Sequence, residues 1–133
     1  MSNSSKKQFA YIAHSLMHGN SSYMKINFKL NIKNINRICQ YMIDKVVKGE
    51  SNLYPLAPQA YLPAFLNESK ANKKNYKSQR LVAIDFCMLL LSKCDIVHVY
   101  KSDTIGGGVI DDIEEASKLG IGVKIYTKYP WED

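Results

Sequence analysis

Apolar residues along this chain follow two rhythms, short runs of strand formers and longer stretches at helical spacing. After a polar tail, Phe9 to Ala13 (FAYIA) is an apolar run of the strand type, and the HSLMHGNSS that follows is rich in turn formers. From Tyr23 to Lys48 apolar residues recur at Ile26, Leu30, Ile35, Ile38, Met42 and Val46, and Gly49 supplies a stop. This predicts one long amphipathic helix, or two with a break near residues 27–31. Asn52 to Ala57 (NLYPLA) predicts a second strand, which Pro55 confines to an edge or a strand end. Pro58 to Leu66 reads as loop or short helix and 67–79 as a mobile basic connection, both lying over a site rather than in the core. Arg80 to Lys93 is apolar on nearly all sides, as a helix buried between neighbours would be, and Asp95 to Tyr100 (DIVHVY) alternates like a strand. A glycine turn, a last helix and a final strand at Gly122 to Tyr126 (GVKIY) complete the order β-α-β-(loop)-α-β-α-β.

That alternation predicts an α/β fold, a mainly parallel sheet of four to five strands with helices on both faces. In such sheets ligands bind outside the carboxyl ends of the strands, near the point where strand order reverses. Those ends carry His14 and Ser15, then Pro58, Gln59 and Tyr61, then the stretch from Ser102 to Gly108. The last is the most informative: in KSDTIGGGVIDDIEEASKL, turn formers Ser102, Asp103 and Thr104 lead into Gly106, Gly107 and Gly108, whose bare backbone a polar ligand can approach. Asp111 and Asp112 follow, expected in the helix's opening turn, where the macrodipole favours negative charge and lowers a carboxylate's pKa.

The bulk numbers narrow the class. A chain of 133 residues, 46% apolar and 23% charged, is one compact domain (1–133, core about 9–126) able to fold without disulfides or metal. The formal charge of +6 attracts polyanions without specificity. There is no aromatic-basic strand motif or helix-turn-helix pattern, so a nucleic-acid partner is not expected. Cys39, Cys87 and Cys94 are odd in number, lie in apolar helical stretches and form no CxxC, which fits reduced buried thiols. No metal or other cofactor is implied. His14 and His18 have HxxxH spacing, but in a loop without acidic or thiol partners. The longest apolar run, 81–91, is too short to span a bilayer and the first residues are polar, so no membrane partner is expected and a cytoplasmic location is.

YIAHS in the first strand, an Asn-Ile pair opening the helix (Asn31 and Ile32), LYPLAPQAYLPAFL, LLLSKCDIVHVY and the glycine turn leading to DIEEASKLGIGVKIY together resemble the nucleoside 2-deoxyribosyltransferase-like superfamily, over about residues 9–126. The resemblance implies a flavodoxin/Rossmann-like three-layer sandwich that binds nucleosides or nucleotides. It also implies a carboxylate nucleophile early in the last helix, four residues after a glycine and before an isoleucine, that attacks the anomeric carbon of the sugar. The matching position is Asp112, followed by Ile113; Tyr11 matches a first-strand tyrosine that hydrogen-bonds near the nucleophile, and Asp85 lies in the helix that carries the family's second acid. This chain departs from the pattern in three ways. Asp112 is one methylene shorter than the usual glutamate. Gly106 stands in place of a serine that holds a 5′-hydroxyl or phosphate. Asp85 is about two residues out of register.

Two functions are therefore carried forward. One is cleavage or transfer at an N-glycosidic bond; the other is non-catalytic sequestration of a nucleotide-derived metabolite or immune signalling nucleotide, which needs lysines but no nucleophile. The expected partners are a nucleoside, a nucleotide or a related small molecule, and a second copy of the chain in a homo-oligomer. Trp131 is read either as a cover for a neighbouring subunit or as an anchor for the tail, and His98 as a buried or partly buried strand residue.

Overall fold

The β-branched and aromatic runs do form strands, and all of them run in the same direction. The computed structural model describes residues 6–14, 21–62, 73–100 and 107–132. The elements are β1 (Gln8–His14), α1 (Ser21–Val47), β2 (Leu53–Leu56), a 3-10 turn (Pro58–Ala60), α2 (Lys73–Leu91), β3 (Ile96–Tyr100), α3 (Gly107–Leu119) and β4 (Gly122–Tyr126). The sheet order is β2-β1-β3-β4, wholly parallel. The chain steps outward from β1 to β2, then crosses to β3 on the other side. The switch point therefore lies at the carboxyl ends of β1 and β3. β2 is an edge strand, where Pro55 is tolerated because one side of the strand has no ladder to serve.

Side chains alternate across β1 and divide the core in two. Ala10 and Ile12 pack against Ile35, Ile38 and Met42 of α1, whose 3- and 4-residue spacing makes one helical stripe. Tyr11 and Ala13 face the other way, onto Leu91 of α2 and Val109 and Ala116 of α3. The result is a three-layer sandwich of the flavodoxin/Rossmann type. Full burial of each large aliphatic residue contributes about 1.5–3 kcal/mol.

Local signals explain the boundaries. α1 is continuous over 27 residues, with no break at 27–31. It ends where Gly49 takes φ 76° and the N–H groups of Gly49 and Glu50 donate to the carbonyls of Val46 and Lys45 at 3.0 and 2.9 Å. Gly120, at φ 73°, closes α3 in the same way. Phe9 and Asp95 exchange hydrogen bonds of 2.9 Å, Phe9 N–H to the Asp95 carboxylate and Asp95 N–H to the Phe9 carbonyl. That clamp fixes the register between β1 and β3.

Two expectations are corrected. α2 begins at Lys73, so much of the basic stretch read as a mobile connection is helical. Nor is α2 buried on all sides: Ala83, Cys87, Leu90 and Leu91 face the core, while Val82, Ile84 and Leu89 are exposed, Leu89 by 66%. A single sheet face can cover only one side of the helix, whatever the composition of the other. At the end of the chain Trp131 serves as an anchor within this chain. It stacks on Tyr129 at 4.7 Å and lies under the Arg37 guanidinium at 3.9 Å, so the tail is strapped to α1. Among the described residues no helix is long and apolar enough to cross a membrane.

Candidate functional site

Asp112 reaches the core because α3 starts six residues after β3, at Gly107, and turns its Val109–Asp112–Ala116 stripe to the sheet. Helical side chains tilt toward the helix N-terminus, which aims the carboxyl back toward the carboxyl edge of the strands. It is only 2% exposed, and its Oδ2 has no hydrogen-bond partner. Burial, and after it the neighbouring Asp111, push its pKa up to about 7. This corrects the expected lowering by the helix dipole. Asp111 and Asp112 lie in the second turn, where the dipole has faded, and removal from water dominates.

Tyr11, in the middle of β1, points to the same side of the sheet and is fully buried. Its hydroxyl makes no conventional hydrogen bond. Burial first, then the Asp112 charge and the Cys87 thiol, hold the phenol protonated far above its ordinary range. Sulfur is a weak hydrogen-bond partner, so the thiol leaves the hydroxyl able to donate elsewhere. Cys87 also stands beside Tyr61, whose pKa is raised by burial and then by that thiol. Tyr61 follows the 3-10 turn after β2 and meets Phe86 of α2 edge to face at 6.4 Å. Neighbour to neighbour, Tyr61 is thus linked to Cys87, Cys87 to Tyr11 and Tyr11 to Asp112. Nearby in the chain, Pro58 is buried and the Gln59 Oε1 is buried without a partner.

Other candidates lie elsewhere. Asp85 is exposed, about 200° around α2 from Cys87, and is not brought to the pair. His14 faces the opposite side of the sheet, where its Nε2 and the Tyr129 hydroxyl share a 2.8 Å hydrogen bond and the rings stack at 5.8 Å. Asn34 of α1 donates to the same hydroxyl at 3.2 Å. Gly107 and Gly108 form the first turn of α3. Ser15, Ser102, Thr104 and Gly106 lie outside the described residues. Among the described residues no group of three or more His, Cys, Asp or Glu side chains is gathered for a metal ion.

Two residues escaped the sequence reading. Cys87 was legible only as a buried thiol, although it sits four residues after Ala83 and four before Leu91 on the core-facing stripe of α2. Tyr129 carried no local signal, because its partner His14 is 115 residues away in the chain.

Chemically, the Tyr11–Asp112 pair is a hydroxyl that stays a donor next to a carboxyl poised near neutrality. An orphaned buried polar group costs about 1–3 kcal/mol, and folded proteins keep few of them. Perturbed acids of this kind concentrate where chemistry or binding occurs. No curated protein is similar enough to be matched to the chain. A family model described as "Domain of unknown function (DUF7768)" matches residues 9–126, from the first strand to the end of the last, and the chain belongs to that family.

Proposed function

We propose that this protein is a cytoplasmic binder of nucleosides or nucleotides that acts on the N-glycosidic bond through Asp112. The observation that carries the reading is the buried, hydrogen-bond-deficient pair of Tyr11 and Asp112 beside the switch point of a parallel sheet. The ionised carboxylate attacks the anomeric carbon as the carbon–nitrogen bond breaks. The bonding pair leaves on the base nitrogen, which takes a proton from water. Water or a second base then displaces the carboxylate and restores it, with net retention. Tyr11 makes no hydrogen bond to the carboxylate in this structure; its role in this reading is to donate to and orient that carboxylate once a ligand is bound, which suits a phenol held protonated. Tyr61, half exposed at the rim, offers a flat face for the base.

The same burial favours a second reading, sequestration without turnover. A carboxyl with a pKa pushed up to about 7 is only half ionised at neutral pH, which weakens it as a nucleophile. Incubation with nucleosides and nucleoside monophosphates, followed by mass spectrometry, separates the two. Free base or exchanged nucleoside from the wild type and none from Asp112→Asn supports catalysis. A ligand that stabilises the fold and is recovered intact supports sequestration. Equal turnover by Asp112→Asn removes Asp112 from the chemistry.

A further inference from the structure

The sheet face opposite Asp112 carries a separate constellation. Among the described helices only α1 packs on this face, over β1 and β2. On the β3 side the tail, residues 127–132, takes over, with Tyr129 stacked on Tyr100 at 6.4 Å, while Lys124 of β4 stays exposed. A cavity of about 580 Å³ lies between that tail and the C-terminal half of α1. Ordinary small-ligand pockets measure about 300–1,000 Å³.

Four tyrosines and a histidine line the cavity, among aliphatic, polar and charged residues. Tyr100 and Tyr126 stack at 4.7 Å, and His98 meets Tyr126 edge to face at 5.2 Å. Lys45 and Lys128 line the same cavity, and the Lys124 ammonium lies 5.3 Å from the Tyr126 ring. Glu132 is the one carboxylate among the lining residues, and its Oε1 already accepts the Tyr129 backbone N–H at 2.8 Å. His98 is 6% exposed, lines the cavity and has no hydrogen-bond partner for its Nδ1. Burial and Lys124 lower its pKa, so the ring is neutral at pH 7, one nitrogen donating and the other accepting.

We propose that this cavity is a second ligand site, for a flat heteroaromatic ring bearing an anionic group, of the size and chemistry of a nucleoside monophosphate. Tyr41 and Tyr126 supply apolar ring surface for the heterocycle, as aromatic side chains do for bases elsewhere, while Tyr100 and Tyr129 are already stacked on other rings of the chain. His98 pairs with a polar atom of the ring, and Lys45 and Lys128 neutralise the anion. A purely apolar occupant would leave the buried His98 Nδ1 unpaired, which costs free energy. The site does not depend on the activity proposed for Asp112, because even- and odd-numbered residues of β1 serve opposite faces.

The chain's single tryptophan, Trp131, stacks on the cavity-lining Tyr129 and so reports on occupancy. The full chain is titrated with adenosine 5′-monophosphate, uridine 5′-monophosphate, adenosine and ribose 5-phosphate, followed by Trp131 fluorescence and by calorimetry. At least one monophosphate is expected to bind and perturb the fluorescence, with adenosine and ribose 5-phosphate at least tenfold weaker. Tyr126→Leu and the surface double variant Lys45→Glu/Lys128→Glu should each weaken that binding at least tenfold, while Asp112→Asn leaves it unchanged. No binding of either monophosphate at millimolar concentration overturns the proposal. So does binding that the double lysine variant leaves intact, or that Asp112→Asn abolishes; the last result would assign the ligand to the Asp112 side alone.

Discussion

Replacing Asp112 by Asn should alter how stability depends on pH, and the sign follows from burial. The carboxyl has an ordinary value of 3.8 and is pushed up to about 7 in the folded chain, so the folded state binds its proton more tightly than the unfolded state. The stability this contributes is complete below about pH 4, declines as pH rises, and is gone above about pH 7. The interval between 3.8 and 7 corresponds to about 4 kcal/mol. Asn has nearly the same shape and does not titrate. The difference in unfolding free energy, wild type minus Asp112→Asn, should therefore fall by up to about 4 kcal/mol between pH 4 and pH 8. Titrating groups that are not coupled to Asp112 are common to both proteins and cancel. With a urea m-value of about 2 kcal/mol/M, the relative midpoint moves by about 2 M. A fall that stops short of about 4 kcal/mol means a smaller upward shift of the carboxyl, or local opening of α3 that hydrates the charge. Parallel pH profiles for the two proteins would show that Asp112 titrates alike in the folded and unfolded chains, and would remove the physical basis of the site.

Four further substitutions probe the same reasoning. Tyr11→Phe removes a buried hydroxyl without a conventional hydrogen bond, so it should stabilise the fold by about 1 kcal/mol in urea unfolding while lowering any glycosidic turnover; a loss of 2 kcal/mol would mean the hydroxyl is satisfied. Tyr129→Phe deletes the hydroxyl that His14 and Asn34 share and should cost about 1–2 kcal/mol by the same assay. Ile38→Ala, in the fully buried stripe of α1, should cost about 2–5 kcal/mol, with the midpoint falling and the m-value unchanged. Gly120→Ala meets no neighbouring atom but must hold a positive φ, so about 1 kcal/mol should be lost through the backbone alone.

The strands and their parallel order were legible because each apolar run is short and flanked by turn formers, and because strand and helix periods alternate regularly. The extent of α2 was not. Its first turns, KKNYKSQR, are polar enough to pass for a connection, and its exposed valine, isoleucine and leucine look like core when the far side of the helix is unknown. Tyr61 was legible from the strand ends, whereas Tyr11 and Asp112 were singled out only through the resemblance to a known family. Cys87, which stands between the two tyrosines, belongs to a helix whose rotation about its axis sequence does not supply. The raised pKa of Asp112 is a property of enclosure; sequence supplied the helix dipole, which acts in the opposite direction and loses.

β1 links these observations. Its alternation sends Tyr11 toward Asp112 and His14 toward Tyr129, so one seven-residue strand touches both candidate sites without joining them. A one-residue slip in register would exchange the faces, moving a tyrosine into the α1 stripe and an isoleucine against the acid. The Phe9–Asp95 clamp opposes that slip at the strand's entry, where two hydrogen bonds of 2.9 Å bind β1 to the residue preceding β3. Asp95 therefore acts on Asp112 through register rather than contact. Asp95→Ala should cost stability and also reduce the pH-dependent difference between the wild type and Asp112→Asn, because a loosened β1 lets water reach the acid. If Asp95→Ala costs stability but leaves that difference at full size, the clamp supports the fold alone and enclosure of the acid is set by the helices.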